Sequence, residues 1–229
     1  MGSGVEREGV GAVRVKKALS VVGVVLAVGA VAVTCASGEE EKSTYVGAAE
    51  VCDGVFAGPL EQTVESVTGA TSFYRLSNEG VGLVSENLKE GHASGRSWTS
   101  GRKLCKMVMK DVYERNYATI DFSIYAPQDV GDVKPREGVR YFSLGKESFA
   151  TSLGARMYFE CVSPQMKGSD ERPARINAGF TYAKDRGDAL ENLQANMTVV
   201  NAAALAVAEK LDCENNGGLR EKPDLQPLP

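Results

Sequence analysis

The 229-residue chain reads as an α+β protein, an antiparallel sheet with helices packed on one face, including a long C-terminal helix. Three observations predict it. Leu190, Leu193, Met197, Val200, Ala204, Val207 and Leu211 recur at steps of three and four, which places them on one apolar helical face. Upstream runs alternate instead, as where Ile120, Phe122 and Ile124 interleave with Asp121, Ser123 and Tyr125, the pattern of a half-buried strand. Cys52, Cys105, Cys161 and Cys213 spread over the same region, so two disulfides are expected to staple it.

Taken from the N-terminus, residues 1–17 end in Arg14-Val15-Lys16-Lys17, and an uninterrupted apolar and small-residue run follows from Ala18 to Thr34. Cys35, Ala36, Ser37 and Gly38 come next, then Glu39, Glu40 and Glu41. Charge, apolar core and small residues are the three regions of an export signal. Basic residues on the N-terminal side predict that this end stays cytoplasmic, with everything after residue 36 on the outer face of the cell membrane. The run lacks the polar positions that a buried globular helix shows, so residues 1–36 are expected to be a signal or membrane-anchor helix. Ala32-Val33-Thr34-Cys35 resembles a bacterial lipobox, with Ala in place of the usual Leu and Thr where Gly or Ala commonly precedes the cysteine. Three fates fit: lipidation at Cys35, an uncleaved transmembrane helix, or release by cleavage after Ala30-Val31-Ala32. In the first two an even number of cysteines remains outside, where oxidising conditions favour pairing.

Residues 37–49 read as a polar tether, 50–213 as the extracytoplasmic α+β domain and 214–229, rich in Asn, Gly and Pro, as an irregular tail. Inside the domain, Phe56, Leu60, Val64 and Val67 predict a first helix that opens near Pro59 and stops at Gly69. A second is expected over Glu79–Lys89, capped by Asn78, with Val84 and Leu88 inward. The stretch from Gly91 to Gly101 reads as a Gly/Ser loop. Strands are expected at Leu104–Val112, Tyr117–Tyr125, Arg140–Leu144, Arg156–Val162 and Arg175–Tyr182. The last helix is expected to pack on the sheet, with Asp185 or Asp188 as its cap and Cys213 tying its end to a strand.

Four cysteines allow three connectivities. Cys52–Cys105 and Cys161–Cys213 are favoured, because each then closes one half of the domain. Each closure stabilises by about 4 kcal/mol on the chain-entropy view.

Charge excludes one function class. Residues 1–34 hold four of the 26 basic and two of the 30 acidic residues, leaving 22 against 28 and a net charge of −6 beyond them. No basic stripe suits a nucleic acid. The chemistry-bearing patterns are equally sparse. The single histidine, His92, lies in the Gly/Ser loop beside Ser94 and Ser97 without a nucleophile elbow, and reads as solvent-exposed. Asp129 and Asp132 mark one turn and Asp170-Glu171 another, without calcium-loop spacing. No Cys-x-x-Cys pairs suggest zinc, and no glycine pattern suggests a phosphate loop or dinucleotide turn. No metal, cofactor or catalytic residue is therefore expected. Arg186-Gly187-Asp188 spells an adhesion tripeptide at a helix start, and Asn196-Met197-Thr198 a glycosylation acceptor on the apolar helix stripe. Trp98, Tyr113, Tyr117 and Tyr141 are candidates for a binding face.

Cys35 after the apolar run, Cys52-Asp53-Gly54 opening the domain, and the closing stretch from Ala206-Val207-Ala208-Glu209-Lys210 to Leu211-Asp212-Cys213-Glu214-Asn215 carry a resemblance. In these features the chain resembles the uncharacterised lipoproteins of the actinobacterial cell envelope. Its three isoleucines, Ile120, Ile124 and Ile176, suit a high-GC genome. The resemblance implies an envelope location and disulfides. It brings no catalytic residues. The expectation is a membrane-anchored binding, interaction or sensor-type protein whose partner is an envelope protein, glycan or small molecule. Two alternatives stand beside it: an envelope-polymer hydrolase working through carboxylates, and a structural envelope spacer.

Overall fold

The computed structural model describes residues 44–76, 80–110, 117–131 and 136–229. The expected anchor 1–36 with Cys35, residues 37–43 of the tether, Asn78, Tyr113 and Asp132 lie outside them. Among the described residues no helix is long and apolar enough to cross a membrane.

The elements follow in the order β1 (Tyr45–Val46), α1 (Leu60–Thr68), β2 (Phe73–Tyr74), α2 (Val81–Ala93), β3 (Arg102–Val108) and β4 (Tyr117–Ile124). The order continues through β5 (Arg140–Phe142), β6 (Glu147–Thr151), β7 (Gly154–Cys161), β8 (Ala174–Tyr182) and α3 (Leu190–Lys210). The six longer-range strands form one antiparallel sheet in the order β3-β4-β8-β7-β6-β5, and β1 pairs with β2 in a small second ladder. The protein is thus α+β, as its alternating and 3.6-period segments predict.

Helix α3 lies on β6, β7 and β8, α2 lies on β3 and β4, and α1 packs against α3. Between them and the sheet sits the core: Ile120 and Phe122 from β4, Met157 and Phe159 from β7, Ile176 and Phe180 from β8, Met197, Val200 and Ala204 from α3. Helix α3 buries more than its stripe, because Val199, Ala203 and Ala208 are also enclosed. Small side chains on this flank let α1 and the sheet approach at once. Leu190 alone of the stripe is exposed, at 42 %.

Both favoured disulfides are present. Cys161–Cys213 ties the end of α3 to β7, and Cys52–Cys105 ties the turn at Val51–Gly54 to β3. That turn runs through left-handed backbone at Cys52, Asp53 and Gly54, which aims the Asp53 carboxylate across at α2. Its Oδ2 accepts the Val81 N–H at 3.3 Å. An acid beside a helix N-terminus satisfies one of its free donors and complements its dipole. The N-terminal donor of α2 thus receives its acceptor from 28 residues upstream.

Three sequence expectations need correction. Helix α2 does not end at Lys89 but runs to Ala93, so Gly91 and His92 are helical and buried instead of forming a loop. The reason is packing: a Cβ at Gly91 would lie 2.9 Å from Thr99 Cγ2 and 3.1 Å from Ile124 Cγ1, so only glycine lets the helix end settle on β4. Neither Asp185 nor Asp188 caps α3, whose N-cap position is Ala189 without a side-chain bond; Asp185 accepts from Gly187 N instead, at 2.7 Å. Strand β6 was not expected, because its inward positions are Ser148 and Ala150 while Phe149 faces outward. The hairpin to β7 closes at Gly154, where a Cβ would stand 2.0 Å from the Phe180 carbonyl oxygen at a φ of +148°. Beyond the turn at Glu214–Gly218 the C-terminal residues are irregular and are fastened to the domain. The Gln194 amide donates to Leu225 O, Asn201 to Arg220 O, and Leu228 N to Tyr141 O, so they return along α3 to the edge strand β5.

Candidate functional site

Because all three helices lie on one side, the opposite face of the sheet carries the outward half of every strand. Register decides what stands side by side there. Lys103 pairs with Asp121, Asp121 with Gly179, Gly179 with Arg156, Arg156 with Phe149 and Phe149 with Tyr141, one row crossing all six strands. The next row is Ser123, Asn177, Tyr158 and Glu147. The third brings Arg175 against Glu160, which is bridged to Lys146 at 2.7 Å.

Gly179 is buried near the middle of this face. A Cβ there would meet Asp121 Oδ1 at 3.2 Å and Arg156 Nη1 at 3.3 Å, so the carboxylate and the guanidinium close over the glycine from its two sides. Arg156 Nη1 donates to Asn177 Oδ1 at 3.5 Å, and Asn177 Nδ2 donates to Ser123 Oγ at 3.2 Å. Tyr125 and Tyr158 meet edge to face with centroids 5.1 Å apart, and Tyr141 tilts against Phe149 at 5.7 Å.

The electrostatics follow from partial burial among these neighbours. Desolvation raises the Asp121 carboxyl above its ordinary value, outweighing the Arg156 and Lys103 charges that favour its ionised form. Burial, aided by the Glu160 charge, pushes the Tyr125 hydroxyl up to about 12, and burial raises Tyr158 as well. Both phenols therefore stay protonated donors at neutral pH. The other carboxylates here are engaged: Glu147 accepts from Gly131 N and Asp129 from Ala126 N, each at 2.9 Å. Asp121 thus faces cations on both sides and has no engaged acid beside it in its row. Such a set of fixed donors, acceptors and ring edges can hold a polar ligand; it contains no nucleophile aligned with a base.

The residues singled out from sequence lie elsewhere or serve the fold. His92 is 6 % exposed near the end of α2, and Ser94 Oγ donates to the Gly91 carbonyl at 2.7 Å rather than to the imidazole. Asp170 and Glu171 are exposed in a turn before β8. Arg186 Nη2 donates to Ser66 O at 2.7 Å, which commits the Arg-Gly-Asp segment to binding α1. Asn196 is buried and donates to Thr151 O at 3.0 Å, so it is no glycan acceptor. Of the aromatics, Tyr141 belongs to the polar face, Tyr117 stacks under Lys106, and Trp98 is 62 % exposed in the loop after α2. Among the described residues no group of three His, Cys, Asp or Glu side chains gathers to hold a metal. Asp121, Arg156, Asn177 and Tyr158 were not singled out from sequence. Their only signal was their outward parity in alternating strands, which all solvated strand residues share.

The chain matches no family model, no curated protein and no solved structure, so its own residues carry the functional reading.

Proposed function

We propose that this protein is a membrane-anchored, extracytoplasmic binding module whose polar sheet face receives an envelope glycan. The observation that supports it is the juxtaposition of Asp121 and Arg156 over Gly179, continued by Asn177, Tyr158, Phe149 and Tyr141. A saccharide presents hydroxyls and apolar ring faces together, which planar carboxylate, guanidinium and amide groups beside aromatic rings complement. Strands supply these groups, so they are held rigidly and little side-chain entropy is lost on binding. The anchor follows from the sequence: the basic start, the apolar run 18–34 and Cys35.

The binding test is calorimetric titration of the full chain in detergent with soluble peptidoglycan and envelope-polysaccharide fragments. Saturable binding that Arg156→Gln and Tyr158→Ala each weaken by about tenfold is the expected result. No saturation by any fragment, with the protein folded, rejects the glycan reading. The address is tested by the mass of protein extracted from its own membranes. Loss of residues 1–34 with added acyl chains is expected, and an intact, unacylated N-terminus replaces the lipid with a single span.

A further inference from the structure

At the end of the sheet where β4 finishes and β8 begins, three arginines and the only histidine surround one small pit. Its walls are His92 at the end of α2, Arg96 in the loop that follows, Ile124, and Arg172, Pro173 and Arg175 at the start of β8. The charged groups that line it are all cationic. None of the three guanidinium groups is bridged to a carboxylate among the described residues. Arg172 Nη2 donates only to the His92 carbonyl, at 3.4 Å. Gathering three like charges costs energy unless an opposite charge offsets it. In a chain whose exported part is net acidic, that gathering is not a general surface trend.

A second observation points the same way. His92 is 6 % exposed, and its Nε2 has no hydrogen-bond partner. A buried polar atom left unpaired costs free energy that a ligand contact would recover. Burial and the neighbouring Arg172 charge hold the imidazole below its ordinary pKa, so at neutral pH it is uncharged. An anion seated against it would offset the Arg172 charge and favour the protonated imidazole.

We infer that Arg96, Arg172 and Arg175 form an oxyanion subsite for a phosphate ester, with one oxygen in the pit toward His92 and the rest of the group held by the guanidinium forks. The pit is about 10 Å³, room for one water-sized group and so for one anion oxygen. Planar guanidinium groups bind phosphate oxygens in pairs, which a lysine cluster does not do. The site does not depend on the glycan reading, since it shares no residue with the group around Gly179.

The single histidine gives the experiment its probe, because the imidazole NMR signals of the full chain belong to His92 alone. Inorganic phosphate, added at constant ionic strength, is expected to shift these signals saturably and to raise the pH at which they titrate. Arg96→Gln changes an exposed loop side chain, and combined with Arg175→Gln it is expected to weaken the response by about tenfold or more while the melting curve holds. A linear response equal to that of sodium chloride overturns the proposal, and so does an unchanged affinity in the folded double variant. Poly(glycerol phosphate) and vesicles of anionic phospholipid then separate the sources. Saturation by the polymer assigns the ester to a soluble phosphodiester, and saturation by vesicles alone assigns it to a lipid headgroup.

Discussion

The two faces of the sheet are built from the same strands and obey opposite rules. On the helix side Ile120, Phe122, Met157, Phe159 and Phe180 are almost wholly enclosed, and both disulfides fasten the segments that cover them. On the other side most outward residues are polar, aromatic or glycine, and burial disfavours the ionised form of Asp121. The first face supplies the stability that the second spends, since a carboxylate held among strands without full solvation does not stabilise a fold. Residues that lower stability at such a position are candidates for binding.

This contrast can be broken most forcefully at the staple. Replacing both Cys161 and Cys213 with serine frees a span of 52 residues and is expected to cost about 4 kcal/mol in denaturant unfolding. A loss below about 1 kcal/mol shows that α3 holds its place by packing alone. Next is Met157→Ala on the helix side, with an expected loss of roughly 3 kcal/mol, because its side chain is fully buried.

Asp121→Asn sharpens the comparison through pH. A folded-state pKa raised above the ordinary 3.8 means that the folded protein holds the proton more tightly than the unfolded chain. The group's contribution to stability therefore falls as pH rises from 3.8 through the folded pKa. The Asn variant should gain on the parent protein between pH 3 and pH 7 in thermal melts, and a gain in the opposite direction refutes the burial argument. His92 runs the other way. Its folded pKa lies below 6.5, so it lowers stability as pH falls from 6.5 through the folded value, and His92→Gln should flatten that part of the profile. The smallest effect belongs to Thr119→Ala on the polar face, expected within about 0.5 kcal/mol. If it approaches the Met157→Ala loss, the two faces are not different in kind.

Legibility followed the range of the interaction. The stripe of α3, the stop of α1 at Gly69 and the alternation of β4 are local patterns, and each is found where it was expected. The end of α2 was misplaced because Gly91, a helix breaker in isolation, is required by Thr99 and Ile124 next to it. Strand β6 was missed because its one large apolar residue, Phe149, faces the polar side and inverts the usual pattern. The candidate site was almost wholly illegible. Asp121, Arg156 and Gly179 are far apart in sequence and look like ordinary solvated strand residues until register sets them in one row.

By itself the amino-acid order determined the fold class and the long closing helix, and it supplied the four cysteines that pair within the domain, because periodicity and composition act within a few residues of the backbone. Only the tertiary structure decided which of three disulfide pairings forms, that Asp53 reaches the N-terminus of α2, and that Arg96, Arg172 and Arg175 converge beside His92. Those outcomes depend on which strands become neighbours. That choice is made by the burial of the whole core and the closure of long loops, which no short stretch of sequence contains.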